Sequence, residues 1–425
     1  MKIKGWGRYP VIEATPIRFD HTFPDIPFIA NGNFRSYGDA ALADSFLNLK
    51  KHNRMISFNE TTGLLTCESG VMLSEIIERF LPEGWYLRVT PGTKYITLGG
   101  AVAADVHGKN HHVVGCFSES VVGFKLLLPS GKQLYCSRDE NVNIFHATCG
   151  GMGLTGIILE VTLMLKKVKS RWVKQTTIKT SNLQETFDAF ETFKDSQYSV
   201  AWIDCLSKGA SLGRSLLMIG DFDDDGDLAY KPKSVFNIPF DFPSFLLSRF
   251  SVKVFNTLYF HKVLNRKSSQ RVEVDQFFHP LDGIGYWNRI YGAYGFVQFQ
   301  FILPKSMSYL GMREILDRIS DKGFASFLSV LKLYGPENKN WLSFPMEGYS
   351  LALDFKLQAG LFEFLHDLTE MVCEMGGRIY LAKDALMTEK QFNASYSKIE
   401  AFKLLRKDLS LTHVIESKLS IRLGI

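Results

Sequence analysis

The stretch at residues 91–112, PGTKYITLGGAVAADVHGKNHH, constrains this chain more than any other. Gly92, Gly99, Gly100 and Gly108 stand among small and apolar residues, and the run closes on His107, Lys109, Asn110, His111 and His112. Glycine lets a backbone take positive φ and approach a ligand with no Cβ in the way. Histidine, lysine and asparagine add donors and a group that titrates near neutral pH. That combination suits a large, flat, phosphate-bearing cofactor better than an ordinary core.

Two other glycine clusters bear on the same idea. An apolar run at 26–30 breaks into Asn31-Gly32-Asn33-Phe34-Arg35-Ser36-Tyr37-Gly38-Asp39. A strand feeding a loop of Gly, Asn, Ser and one guanidinium presents backbone N–H groups to a diphosphate; a polar hairpin turn is the other reading of the same residues. GMGLTG at 151–156 matches G-x-G-x-x-G, but that fingerprint needs a strand before it and a helix after it. Here 143–147 is patterned as helix and the following IILEVTLML as strand. A Rossmann reading is therefore excluded, while the glycines still allow the backbone close to a cofactor.

At 425 residues the chain should form two or three domains. With 46% hydrophobic and 22% charged residues it reads as a soluble globular protein. No apolar h-region follows the basic start, and no apolar run is long enough to span a bilayer. The expected location is the cytoplasm or the periphery of the inner membrane. The six cysteines are scattered without a C-x-x-C pair, which predicts buried free thiols and no zinc site. DFDDDG at 221–226 starts like an EF-hand loop, but Pro232 stands where the bidentate glutamate belongs, so no metal is expected. A net charge of +5 is too mild to argue for nucleic acid.

Periodicity places helices where Leu73, Ile76, Ile77, Phe80 and Leu81 recur, and again from Leu361 to Met375 before Gly376-Gly377. GFVQFQFILP at 295–304 alternates as a strand with Gln298 and Gln300 on one face, which either line a pocket or meet solvent. Lys383 follows a short apolar strand in RIYLAKDAL. Between 230 and 267, nine aromatics and seven Lys or Arg accompany a single acid, Asp241. Such a segment suits a membrane interface, a cover over a lipid-bearing substrate, or a lid packed on its own domain.

Together, NGNFRSYGDAAL, TPGTKYITLGGAVAADVHGKNHH, GGMGLTGIILEVTL, FFHPLDGIGYWNRIYGAYGFVQFQFILP and RIYLAKDAL resemble the decaprenylphosphoryl-β-D-ribose 2′-oxidase family. These are flavoproteins of the vanillyl-alcohol oxidase, or PCMH-type, superfamily. The likeness runs nearly the whole chain and weakens between about 171 and 270. It implies an α+β fold: a PCMH-type FAD-binding domain at 1–170, completed by 378–425, and a substrate domain at 171–377. The substrate domain would be built on an antiparallel sheet with helices, with 230–267 as its lid. FAD would be bound non-covalently, because Arg35-Ser36-Tyr37-Gly38-Asp39 has no histidine where many relatives attach the flavin.

The resemblance also assigns residues. Ala30, Asn31, Gly32, Asn33, Phe34, Arg35, Ser36, Tyr37, Gly38, Asp39 and Ala40 would hold the FAD diphosphate. Gly92, Thr97, Leu98, Gly99, Gly100, Ala104, Asp105, Val106, His107, Ile158 and Tyr380 would line the flavin. Lys383 would be the central catalytic residue with His107 and Tyr37, the base being either Lys383 or His107. Lys109, Gln298, Gln300, Lys332, Ser350 and Ala352 would form the substrate pocket. Ser350 and Ala352 stand where mycobacterial members carry an Asn and a Cys.

The implied activity is oxidation of the C2 hydroxyl of a polyprenyl-phosphate-linked pentose, in cell-envelope arabinan synthesis. A separate NAD(P)H reductase of the short-chain dehydrogenase/reductase type would complete an epimerisation, at a membrane surface. Oxidation of another sugar or alcohol, and a non-catalytic flavin-binding role, are the alternatives.

Overall fold

The computed structural model describes residues 1–232 and 235–425. Two antiparallel sheets organise it. The first is six-stranded, in the order Gln133–Ser137, Val121–Leu127, Ile157–Lys167, Leu64–Glu68, Met55–Asn59, with Trp85–Leu87 pairing the far end of Ile157–Lys167. Its central strand is rich in β-branched and large apolar residues, which fit a pleated, mostly buried surface. The helix Leu73–Phe80 buries Leu73, Ile76, Ile77 and Phe80 in the core of this sheet, as their spacing predicts.

The second sheet is eight-stranded, in the order Lys267–Glu273, Trp172–Thr180, Ser215–Phe222, Tyr198–Ile203, Ser329–Tyr334, Gly348–Lys356, Phe296–Pro304, Arg378–Ile379. The helices Leu183–Thr192, Lys305–Lys322 and Leu361–Glu374 share its core. Strand Phe296–Pro304 contributes Phe299, Phe301 and Leu303 to that core. Because side chains alternate, Gln298 and Gln300 take the opposite face, which lines a cavity. The molecule is α+β.

A three-stranded parallel sheet joins the two ends of the chain: Thr15–Ile17, Ser45–Asn48, Ile29–Asn31. The apolar run at 26–30 enters its strand late, at Ile29, because Pro27 has no N–H to give a ladder. Beside it the C-terminal helices return: Phe28 N donates to Val414 O at 3.1 Å and Lys418 N to Leu42 O at 2.7 Å. Arg406, fully buried among them, donates to Ile415 O at 2.6 Å and Leu154 O at 3.2 Å.

Within 230–267, positions 233 and 234 lie outside the described residues. The segment contains a helix, Arg249–His261, started by a Ser248–Ser251 capping box. Val252, Asn256 and Phe260 face inward, whereas Phe250 and Leu258 are 77% and 67% exposed. In the acidic run at 221–226, Asp223 accepts from Lys174 and Arg271 at 2.8 and 2.9 Å, and Asp224 pairs with Lys169 at 3.1 Å. Five of the six free cysteines are buried. Among the described residues no helix is long and apolar enough to cross a membrane.

Candidate active site

A cavity of about 590 Å³ lies where the loop after Ile29–Asn31, the stretch at 90–109 and the glutamine face of the large sheet converge. The first loop is folded onto its neighbours. Trp6 N donates to Ser36 O at 2.7 Å, Asn33 Nδ2 donates to Tyr95 O at 2.8 Å, and the Arg35 guanidinium lies 3.9 Å over the Trp6 ring. A Cβ on Gly32 would come within 2.2 Å of Thr97 Oγ1, so only glycine allows the two loops to meet. Thr97 in turn caps the helix Leu98–Ala103, accepting from Gly100 N at 3.3 Å.

The polar lining fits a cofactor. Ser69 Oγ, Thr90 Oγ1 and His107 Nδ1 are buried without a partner among the described residues, and all three residues line the cavity. Buried polar atoms left unpaired are costly, so a ligand that pairs them is favoured. A Cβ on Gly92, also in the wall, would meet no protein atom within 4 Å, which leaves that space to a ligand.

At the other end the cavity becomes cationic. Tyr37 N donates to Ala382 O at 3.1 Å, and this clip sets Lys383 Nζ 3.6 Å from the centroid of the Tyr37 ring. Burial pulls Lys383 down to about 7, against the attraction of Asp354 and with help from Lys332. Lys332 falls to about 8 through burial, and Lys109 to about 7 through burial and then Lys332. The Lys109 ammonium donates to Phe277 O.

His107 is held well below its ordinary value, by burial first and then by Lys332, His111 and Lys383. Its ring packs against Tyr334, Phe344 and Tyr380, with centroids 5.2, 5.6 and 5.0 Å away. Gln300 Nε2 lies 3.0 Å from His107 Nε2, so the neutral imidazole accepts there and carries its proton on Nδ1.

Most residues singled out from the sequence meet at this cavity: Ala30 to Tyr37, Ala40, Gly92, Thr97, Gly99, Gly100, Ala104, Val106, His107, Ile158 and Tyr380, and on the sheet side Lys109, Gln298, Gln300, Lys332, Ala352 and Lys383. Met152, Gly153 and Gly156 of the GMGLTG run also line it.

Five residues are placed elsewhere. The Asp39 carboxylate is taken by Arg422 at 2.8 and 2.9 Å, and Gly38 packs so tightly that a Cβ would lie 1.6 Å from Asp384 O. Leu98 is core. Asp105 turns away to accept from Ser118 N, Asn338, Asn340 and Ser343 at 2.7 to 3.0 Å. Ser350 is buried behind Gln300, 3.5 Å from its amide.

The sequence reading missed Asp354, whose carboxylate accepts from Gln298 Nε2 and, at 3.3 Å, from Tyr291 Oη. The signal was present: a lone acid in the mostly apolar strand YSLALDF.

Residues 22–137 match the FAD binding domain family. Decaprenylphosphoryl-beta-D-ribose oxidase of Mycolicibacterium smegmatis is 34% identical over 411 residues, 93% of this chain and 89% of that one. The chain belongs to this oxidase family. More distant likeness reaches L-gulonolactone oxidase of Bos taurus, 29% identical over 39% of this chain and 38% of the relative. D-arabinono-1,4-lactone oxidase of Yarrowia lipolytica is 28% identical over 31% of this chain and 26% of its own. The protein is thus an FAD-dependent oxidoreductase acting on a CH–OH group, and the fit of the first loop and the 90–109 wall concerns FAD.

Proposed function

We propose that the protein oxidises the C2 hydroxyl of a polyprenyl-phosphate-linked pentose to the 2-keto sugar, the first half of an epimerisation in cell-envelope arabinan synthesis. The observation that carries this reading is Lys383, an amine drawn down to about 7 and held over Tyr37 in the cavity of a decaprenylphosphoryl-ribose oxidase relative. FAD, when bound, supplies the acceptor for the hydride leaving C2.

The protein does the rest. Neutral Lys383 takes the hydroxyl proton, and near pH 7 a large fraction of it is in that form. His107 is not the base, because its Nε2 lone pair is used by Gln300; its Nδ1–H is a donor. Gln298 and Gln300 orient the sugar hydroxyls, and Lys109 and Lys332 face the phosphate. Lys383, Gln298 and Tyr37 therefore contact the reacting sugar, and 30–37 with 90–107 hold FAD.

The keto product would pass to an NAD(P)H reductase of the short-chain type, and the protein would work at the membrane surface where its lipid-linked substrate resides. The test is anaerobic addition of farnesylphosphoryl ribofuranose to the holoenzyme. Bleaching of the flavin is expected, and Lys383→Ala should bind FAD yet bleach at least about a hundredfold more slowly. A wild-type protein that stays yellow with this sugar, but bleaches with another, transfers the same chemistry to that substrate.

A further inference from the structure

Asp354 is fully buried and lies behind the cavity wall. It stands opposite Gln298 in the register of strands Phe296–Pro304 and Gly348–Lys356. Its Oδ1 accepts from Gln298 Nε2, its Oδ2 accepts from Tyr291 Oη at 3.3 Å, and its backbone N donates to Ser326 Oγ at 3.1 Å. Burial raises the Asp354 carboxyl to about 7, and Gln298, Lys383 and Tyr291 all favour its ionised form. Once ionised it only accepts, so it takes the NH₂ end of the Gln298 amide and fixes which way that amide points. The Gln298 amide lies beside the Tyr37 hydroxyl and favours its ionised form, and the Tyr37 ring lies 3.6 Å from Lys383 Nζ.

We propose that Asp354 is the positioning residue of this site: its carboxylate fixes the Gln298 amide against Tyr37, and its charge is the counter-charge of Lys383. The inference rests on the assignment of Lys383 as the proton acceptor. The titratable and charged groups that act on this pair come from several elements. Lys383 senses Asp354 and Lys332, and His107 senses Lys383. Asp354 senses Lys383, Gln298 and Tyr291. Tyr291 senses Tyr37 and Cys205, and Tyr37 senses Arg35 and Asp282.

Among the forces on the Lys383 proton, burial and Lys332 both expel it, and Asp354 alone retains it. Removing the charge of Asp354 must therefore lower the pH at which Lys383 becomes neutral. Asn keeps the shape of the side chain and an oxygen for Gln298, so Asp354→Asn isolates the charge. Tyr291 does not line the cavity, and Tyr291→Phe deletes one donor that stabilises the ionised carboxylate, a weaker change in the same direction.

The direct measurement is competitive acetylation of Lys383 by acetic anhydride in the holoenzyme, followed by peptide mass spectrometry as pH is varied. Asp354→Asn should shift the Lys383 midpoint down by about one pH unit or more, and Tyr291→Phe by less. The pH profile of flavin bleaching by farnesylphosphoryl ribofuranose should move with it, while the FAD content stays unchanged. If the variants bleach more slowly with an unmoved acetylation midpoint, Asp354 is a structural support only and the inference is overturned. If the midpoint moves but the wild type never bleaches, the assignment of Asp354 stands and the proposed substrate falls. Should Asp354→Asn fail to fold, the Tyr291→Phe midpoint decides.

Discussion

Three amines, Lys109, Lys332 and Lys383, share one buried cavity, and each is pulled from the ordinary lysine value to between about 7 and 8. Such a cluster weakens the fold. For Lys332 the folded value of about 8 lies below that of the unfolded chain, which therefore binds more protons between the two. Its penalty is full below pH 8 and disappears as pH rises toward the ordinary lysine value. Lys332→Met should remove that penalty, raising the Tm of the substrate-free protein at pH 7 by about 2–4 °C. The gain should vanish near the unfolded lysine value, and flavin reduction by the phosphorylated sugar should be lost. A Tm that falls, measured by calorimetry at both pH values, would show that Lys332 is instead paired and stabilising. A buried amine that costs stability suits the proposed binding of an anionic substrate.

At the scale of elements, the site is a clip between segments far apart in sequence. The loop at 36–39 is pinned to the turn at 380–384 by Tyr37 N to Ala382 O, and by Arg422, which bridges Asp39 and Asp384 at 2.8 and 2.9 Å. Gly38 is the contact point, with room for no Cβ against the Asp384 carbonyl. Gly38→Ala should force these backbones apart at a cost of about 3 kcal/mol and detach Lys383 from Tyr37. Urea unfolding and flavin bleaching together check this; an unchanged midpoint with full activity would refute the clip. Helix Leu73–Phe80 and strand Phe296–Pro304 were legible in the sequence because their periods are local. Asp39 was read as a cofactor residue because its partner, Arg422, is 383 positions away. Asp354 escaped for a related reason: only the register of the sheet sets it opposite Gln298. That the glycine loops wall a cavity was legible, but not which residue in each faces the cavity and which faces its neighbour.

For the whole molecule, the proposed lipid-linked substrate needs a way into the cavity. The helix Arg249–His261 is apolar on two sides. Val252 and Phe260 pack inward, and Phe250, Val254 and Leu258 form an outward stripe at i, i+4, i+8. Phe236, Phe240, Phe245 and Leu264, each more than 60% exposed, lie on the flanking segments. Lys253 and Lys262 are on or beside the helix, while the only acid of 230–267, Asp241, is tied to Arg8 at 2.6 Å. Tyr259 and Lys262 at the end of this helix also line the cavity. An exposed apolar stripe, unbalanced positive charge and a wall of the substrate cavity thus occur on one element. This supports the proposed membrane-surface contact, with the helix lying in the interface and its positive charge suited to anionic lipid. Phe250→Ser with Leu258→Ser should lower binding to phosphatidylglycerol vesicles at least about tenfold, the loss of two buried apolar side chains setting the scale. Binding to the same vesicles should weaken with salt in the wild type. Neither side chain lines the cavity, so bleaching by the water-soluble farnesyl substrate should remain at the wild-type rate. Vesicle co-sedimentation that is unchanged in the double variant would refute this orientation. If sedimentation is unchanged but the wild type proves to be a dimer that the variant dissociates, the stripe is covered by a second copy, and the substrate must enter by another face.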